Sequence, residues 1–138
     1  MRIMAIDYGD AHTGVAISDP TGSLAGYTAT IDAWRPEAVA ERIAALAREH
    51  GVTELVLGYP RNMDGSAGQR AEKSEALKAL LEQVCSLPVT LWDERRTTID
   101  AHRILLENGK NAKKRKKTVD AVAAALILEG YLTYRRHL

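Results

Sequence analysis

The sequence predicts an α/β fold, a five-stranded mixed sheet with helices on both faces, and three observations lead there. Three short strand-like runs come first, joined by brief connections, and connections that short favour antiparallel neighbours. The apolar period then changes to that of helices, which alternate with two further strand-like runs. A helix after each later strand implies parallel crossovers back onto the first three strands. The order reads βββαβαβαα.

The first three runs cover roughly residues 2–8, 13–18 and 24–31, separated by Gly9–His12 and by Asp19-Pro20-Thr21-Gly22. Pro36 then opens a helix with Val39, Ile43, Leu46 and Ala47 on one face, and Gly51 closes it. Thr53 to Gly58 is a compact buried strand, YPRNMDGSAG a loop, and Leu77, Leu80, Leu81 and Val84 mark a second helix. Pro88 to Trp92 is the fifth strand. Thr97 or Thr98 can cap a third helix that Gly109 ends. A basic loop, extended and mobile because like charges repel, is expected before a final helix over about 118–134.

At 138 residues the chain fits one domain, residues 1–138, with room for a real core. Hydrophobic residues make up 46% and charged ones 27%, the balance of a globular protein. Nineteen basic residues against 18 acidic ones leave a net charge of +1, so total charge names no partner. The single Cys85 forms no internal disulfide and reads as a packing residue. The longest apolar run, Ala121 to Leu128, is far shorter than the roughly 20 residues that span a bilayer. Residues 1–20 are not expected to form the apolar core of a signal peptide, because Asp7 interrupts them. The chain is expected in the cytoplasm, with no membrane partner.

Four stretches could carry chemistry. The first, DYGDAHTG, ends the first strand in Asp7, a carboxylate whose desolvation needs compensation. Read plainly it is a tight turn in which Gly9 supplies a positive φ and Asp10 supports the bend. The second, GYPRNMDG, follows the fourth strand and holds Arg61, Asn62 and Asp64, more polar variety than a connection needs. In open α/β sheets, sites gather beyond the carboxyl ends of such strands. The third, DERRTT, puts Asp93, Glu94, Arg95 and Arg96 between a strand and a helix N-terminus. Helix-dipole compensation accounts for the acids there better than for the arginines. In the fourth, Lys110, Lys113, Lys114, Arg115, Lys116 and Lys117 lead into a nearly all-apolar helix with Asp120 in its first turn. Residues 120, 123, 124 and 127 share one face of that helix.

Together these stretches say more than any does alone. Carboxylates on the first strand, the last strand and the final helix all sit at element ends that a covered sheet can bring together. Such a cluster repels itself and needs cations, and hard oxygen donors select Mg²⁺ or Mn²⁺. Two such ions about 4 Å apart stabilise the attacking and leaving oxygens of phosphodiester hydrolysis. Arg61, Asn62, Arg95, Arg96 and the basic run would then contact phosphates.

With these four stretches in this order, the chain resembles the YqgF (RuvX) family of RuvC-type resolvase relatives over essentially its whole length. The resemblance implies a ribonuclease H-like fold, with three antiparallel strands followed by two parallel ones. It also implies a nuclease that matures the 5′ end of pre-16S ribosomal RNA, with Holliday junction resolution as the older alternative. The partner implied is structured RNA, or branched DNA for a resolvase, and the chain itself a monomer or weak homodimer. A non-catalytic RNA-binding assembly factor and a sugar-kinase or actin-like ATPase are the competing classes. The latter pairs two such domains around its nucleotide, and this chain has one D-x-G hairpin.

Carried over by position, the metal-holding and catalytic acids are Asp7, the Asp93-Glu94 pair and Asp120. In such a sheet the fifth strand lies two places from the first, nearly 10 Å away at about 4.8 Å per strand. The longer reach of Glu94 favours it over Asp93, and Asp64, after the neighbouring fourth strand, is the spare. Two positions depart from the family's usual residues: His12 stands where an Arg is usual, and Tyr59 where a Leu is.

Overall fold

The structure is a computed structural model that describes residues 1–21, 25–60, 68–93 and 112–136, with the side chains of the last segment from residue 121 onward. Its elements are β1 (Arg2–Asp7), β2 (His12–Ser18), β3 (Ala25–Asp32), α1 (Pro36–His50), β4 (Val52–Tyr59), α2 (Gln69–Cys85), β5 (Val89–Asp93) and α3 (Ala112–Arg136). The helix expected over 97–108 lies outside the described residues.

The five strands form one sheet in the order β3-β2-β1-β4-β5. β1 is antiparallel to β2, and β2 to β3, whereas β4 and β5 run parallel to β1. Asp7 is opposite Gly14, Ile6 opposite Leu57, and Gly58 opposite Trp92. The carboxyl ends of β1, β4 and β5 therefore share one edge of the sheet.

Strand alternation divides the core in two. Met4, Ile6, Val15, Ile17, Leu55 and Leu57 face α1 and α2, packing on Val39, Ile43, Leu77 and Leu81. Ile3, Ala5, Ala16 and Val56 face α3, packing on Ala124, Ile127, Leu128 and Tyr131. Each fully buried Ile or Leu contributes about 1.5–3 kcal/mol. In α1, Pro36 stands at the start and Gly51, at φ 67°, ends the helix in the left-handed conformation that glycine adopts without strain. In α2 the expected apolar face is narrower than its spacing suggests. Leu77 and Leu81 are buried, while Val84 is 43% exposed.

Two local expectations are corrected. Gly9 does not take a positive φ; Gly51 alone does among the described glycines. Gly9 is required instead by close approach, since a Cβ there would collide with the His12 carbonyl oxygen. The basic run is not an extended loop either. α3 begins at Ala112, so Lys113, Lys114, Arg115, Lys116 and Lys117 are helical. Lysine, arginine and alanine are strong helix formers, and like-charge pairs cost only tenths of a kcal/mol each. Propensity wins over repulsion.

Candidate active site

The pleat decides which acids can meet. Ile3 and Ala5 belong to the α3 side of β1, so Asp7 belongs there too, while Met4, Ile6 and Tyr8 pack on the other side. In β5 it is Trp92 that packs on the α3 side, whereas Val89 and Leu91 pack towards α1 and α2. Asp93 accordingly lies on the side away from Asp7, lining a cavity of about 370 Å³ with Tyr59, Glu75 and Leu91. Glu94 itself lies outside the described residues, as do Asp64, Arg61, Asn62, Arg95 and Arg96.

α3, which bears Asp120, packs on the face of the sheet to which Asp7 belongs. α3 is anchored at its far end, where Tyr131 Oη donates to Glu54 Oε2 and Arg135 Nη1 pairs with Glu54 Oε1 at 2.6 Å. Glu54 lies opposite Ile3 in the β1–β4 ladder. Tyr131 also meets the Trp92 ring edge-on, with 5.9 Å between centroids. The side chains of Asp120 and of Lys113 to Lys117 lie outside the described residues.

Three strands contribute to the floor around Asp7. Gly14 of β2 stands opposite it, and on the other side Leu57 of β4, followed by Gly58, stands opposite Ile6. Beyond Gly14, His12 pairs with Asp32 of β3, with Nδ1 2.8 Å from Oδ1. Asp7 itself makes no ion pair or hydrogen bond with another side chain among the described residues. No group of three His, Cys, Asp or Glu side chains converges among the described residues. Asp7 is therefore the described member of the expected set. An oxygen donor on a partly exposed sheet end fits a hard divalent cation.

The opposite side of the same sheet end is polar but internally matched. Tyr59, in place of the family's usual leucine, donates to Glu75 Oε1 at 2.7 Å. Lys73 bridges to Asp10 at 3.0 Å beside a cavity of about 270 Å³ lined also by Tyr8, Trp34, Pro36 and Ala76. Burial, chiefly, pushes the Tyr8 phenol above its ordinary value, with Lys73 opposing and Asp10 and Glu37 adding to the rise.

Sequence reasoning misses the His12–Asp32 pair and the Glu54 anchor. The first is visible only once the antiparallel register is known, and that depends on how many residues the intervening connection uses. The second spans 77 and 81 positions and has no local signal.

A mixed β3-β2-β1-β4-β5 sheet with an acid ending β1 and a long helix across that acid's face defines a ribonuclease H-like protein of the RuvC type. The solved structure of Thermus thermophilus RuvC in complex with a Holliday junction substrate matches it with a TM-score of 0.65, covering 99% of this chain and 96% of that one at 13% identity, a likeness of fold. The family model described as "RuvX: Holliday junction resolvase" matches residues 1–134, and the chain belongs to that family. Among curated relatives, one from Halothermothrix orenii is 46% identical over 138 residues, covering 100% of this chain and 99% of its own. Another, from Pelotomaculum thermopropionicum, is 46% identical over 133 residues, 96% of this chain and 86% of its own. Both carry the name "Putative pre-16S rRNA nuclease".

Proposed function

We propose that this protein is a metal-dependent nuclease that hydrolyses phosphodiester bonds in structured RNA, in the 5′ maturation of pre-16S ribosomal RNA within the cytoplasm. The observation that carries this reading is the placement of Asp7. It ends a buried strand on the face crossed by the helix that bears Asp120, with Gly14 opposite it. The names of the full-length relatives supply the RNA.

Asp7, Asp120 and Glu94 would hold Mg²⁺ or Mn²⁺. Asp93 lies on the side away from Asp7, so we assign the third carboxylate to the neighbouring acid, Glu94. When bound, the cations supply charge stabilisation to the oxygens gained and lost at phosphorus. The chain's own task is to hold the phosphate there, and the basic first turns of α3, with Arg61, Asn62, Arg95 and Arg96, are the proposed contacts. These contacts position a strand without reading its sequence.

The test is cleavage of structured RNA and of four-way DNA junctions, with and without chelator, by the native protein and Asp7→Asn. Mg²⁺-dependent RNA cleavage that Asp7→Asn abolishes is the expected result. Equal activity in excess EDTA, or in Asp7→Asn, overturns the reading. Cleavage confined to junction DNA favours resolution instead, the activity in the family's description, and a junction is the substrate bound in the matched RuvC complex. Tight RNA binding with no cleavage would mark an assembly factor.

A further inference from the structure

Metal-dependent hydrolysis at Asp7 leaves the His12–Asp32 pair unused, and the geometry of that pair is that of a proton-transfer group. Nδ1 of His12 lies 2.8 Å from Asp32 Oδ1. A carboxylate oxygen accepts, so Nδ1 carries the hydrogen and Nε2 is the nitrogen left to gain or lose a proton. The bond to Asp32 is the imidazole's one side-chain hydrogen bond among the described residues. The His12 side chain is 26% exposed, so the ring is held on one side and reachable on the other.

Register places His12 diagonally across from Asp7 on the same face of the sheet. Asp7 is opposite Gly14, and His12 lies two residues from Gly14 on the same side of β2. Such diagonal neighbours stand about 7–8 Å apart, within reach of an aromatic side chain. A phosphate held at Asp7 is then accessible to Nε2. A structural role explains the pair poorly, because partly exposed ion pairs contribute about 0–1 kcal/mol.

We propose that His12, oriented by Asp32, donates the proton taken up by the leaving oxygen when a phosphodiester held at Asp7 is hydrolysed. The inference rests on the nuclease reading. In the step, the oxygen of water forms a bond to phosphorus and gives a proton to solvent. The bond from phosphorus to the leaving oxygen breaks, its electron pair stays on that oxygen, and the proton on Nε2 neutralises it. Solvent then reprotonates the imidazole. Asp32 is a positioning residue, fixing the tautomer and the ring.

The experiment compares full-length protein and His12→Asn on two Mn²⁺-supported substrates, one natural and one with sulfur in place of the leaving oxygen. Asparagine can still donate to Asp32 but has no titrating nitrogen. On the natural substrate kcat should fall about 10²-fold or more, with KM within about threefold of native. A thiolate leaves without a proton, so the sulfur substrate should be cleaved by both proteins at rates within about threefold. Asp32→Asn should show a smaller loss of the same kind, again absent with sulfur. Equal losses on both substrates, a loss confined to KM, or no loss overturns the inference. Should His12→Asn fail to fold by circular dichroism, His12→Gln and Asp32→Asn carry the same comparison. The nuclease reading fails separately, if native protein cleaves neither substrate better than Asp7→Asn.

Discussion

The two faces of the sheet at its carboxyl end are built differently. Towards α1 and α2 the polar groups find partners on α2: Tyr59 with Glu75, and Asp10 with Lys73. Towards α3, Asp7 has no side-chain partner among the described residues, and Gly14 stands opposite it. The long helix on that face begins with basic residues and has no acid in its first turn. Such a helix start is electrostatically unfavourable on its own, since cations oppose the positive end of the helix dipole. A face with an unmatched carboxylate and a cationic helix end suits a ligand that carries both metal and phosphate. On the other face, Tyr59 and Asp10 are matched by α2 as folded.

The sharpest way to break this contrast is to remove one acid from each face. Asp7→Asn should lower RNA cleavage by about 10³-fold or more. Asp93→Asn, one residue from the acid we propose, should leave it within about threefold. Equal losses in single-turnover assays would mean that the two faces are not separate.

The cationic helix end can be tested without chemistry. Neutralising Lys113, Lys114, Arg115 and Lys116 together should weaken RNA binding and flatten the plot of log affinity against log salt. The slope should fall by about 0.7–0.9 for each phosphate no longer neutralised. An unchanged slope would return phosphate binding to Arg61, Arg95 and Arg96.

Stability measurements probe what supports each face. In Gly9→Ala the new methyl meets the His12 carbonyl, and the hairpin must shift at a cost of about 2–3 kcal/mol, read by urea denaturation. Glu54→Gln keeps an acceptor but loses the charge that holds Arg135 and Tyr131. It should cost about 1–2 kcal/mol, read by the same denaturation.

The smallest expected effect is on the alkaline side. Burial first, and the bond to Glu54 second, raise the Tyr131 phenol above its ordinary 10.0. The native state therefore holds this proton more tightly than the unfolded chain. Its stabilisation is complete below about pH 10 and is lost as pH rises through the elevated value. Tyr131→Phe should flatten that decline in a series of melting curves; an unaltered decline would assign it to other groups.

Much of the molecule is legible in the sequence because it is local. Alternation and helical period locate the strands, Pro36 and Gly51 bound α1, and the acids at strand ends are visible as polar residues closing apolar runs. Where local rules compete, the sequence misleads. Like-charge repulsion argues for an extended basic run, yet helix propensity prevails there. Gly9 reads as a positive-φ turn residue, yet its constraint is a carbonyl across the hairpin. A turn glycine looks the same in sequence under either cause.

The sequence by itself determined the class of fold and the order of the described elements, and it marked Asp7, the Asp93-Glu94 pair and Asp120 as candidates. Only the tertiary structure decided which face each strand-end residue serves. Register turns Asp93 from Asp7 and brings His12 and Asp32, 20 positions apart, into contact. A pleated strand reverses its side at every residue, so neighbours in sequence can belong to different sites. Only the ladder, with its long-range hydrogen bonds, resolves that.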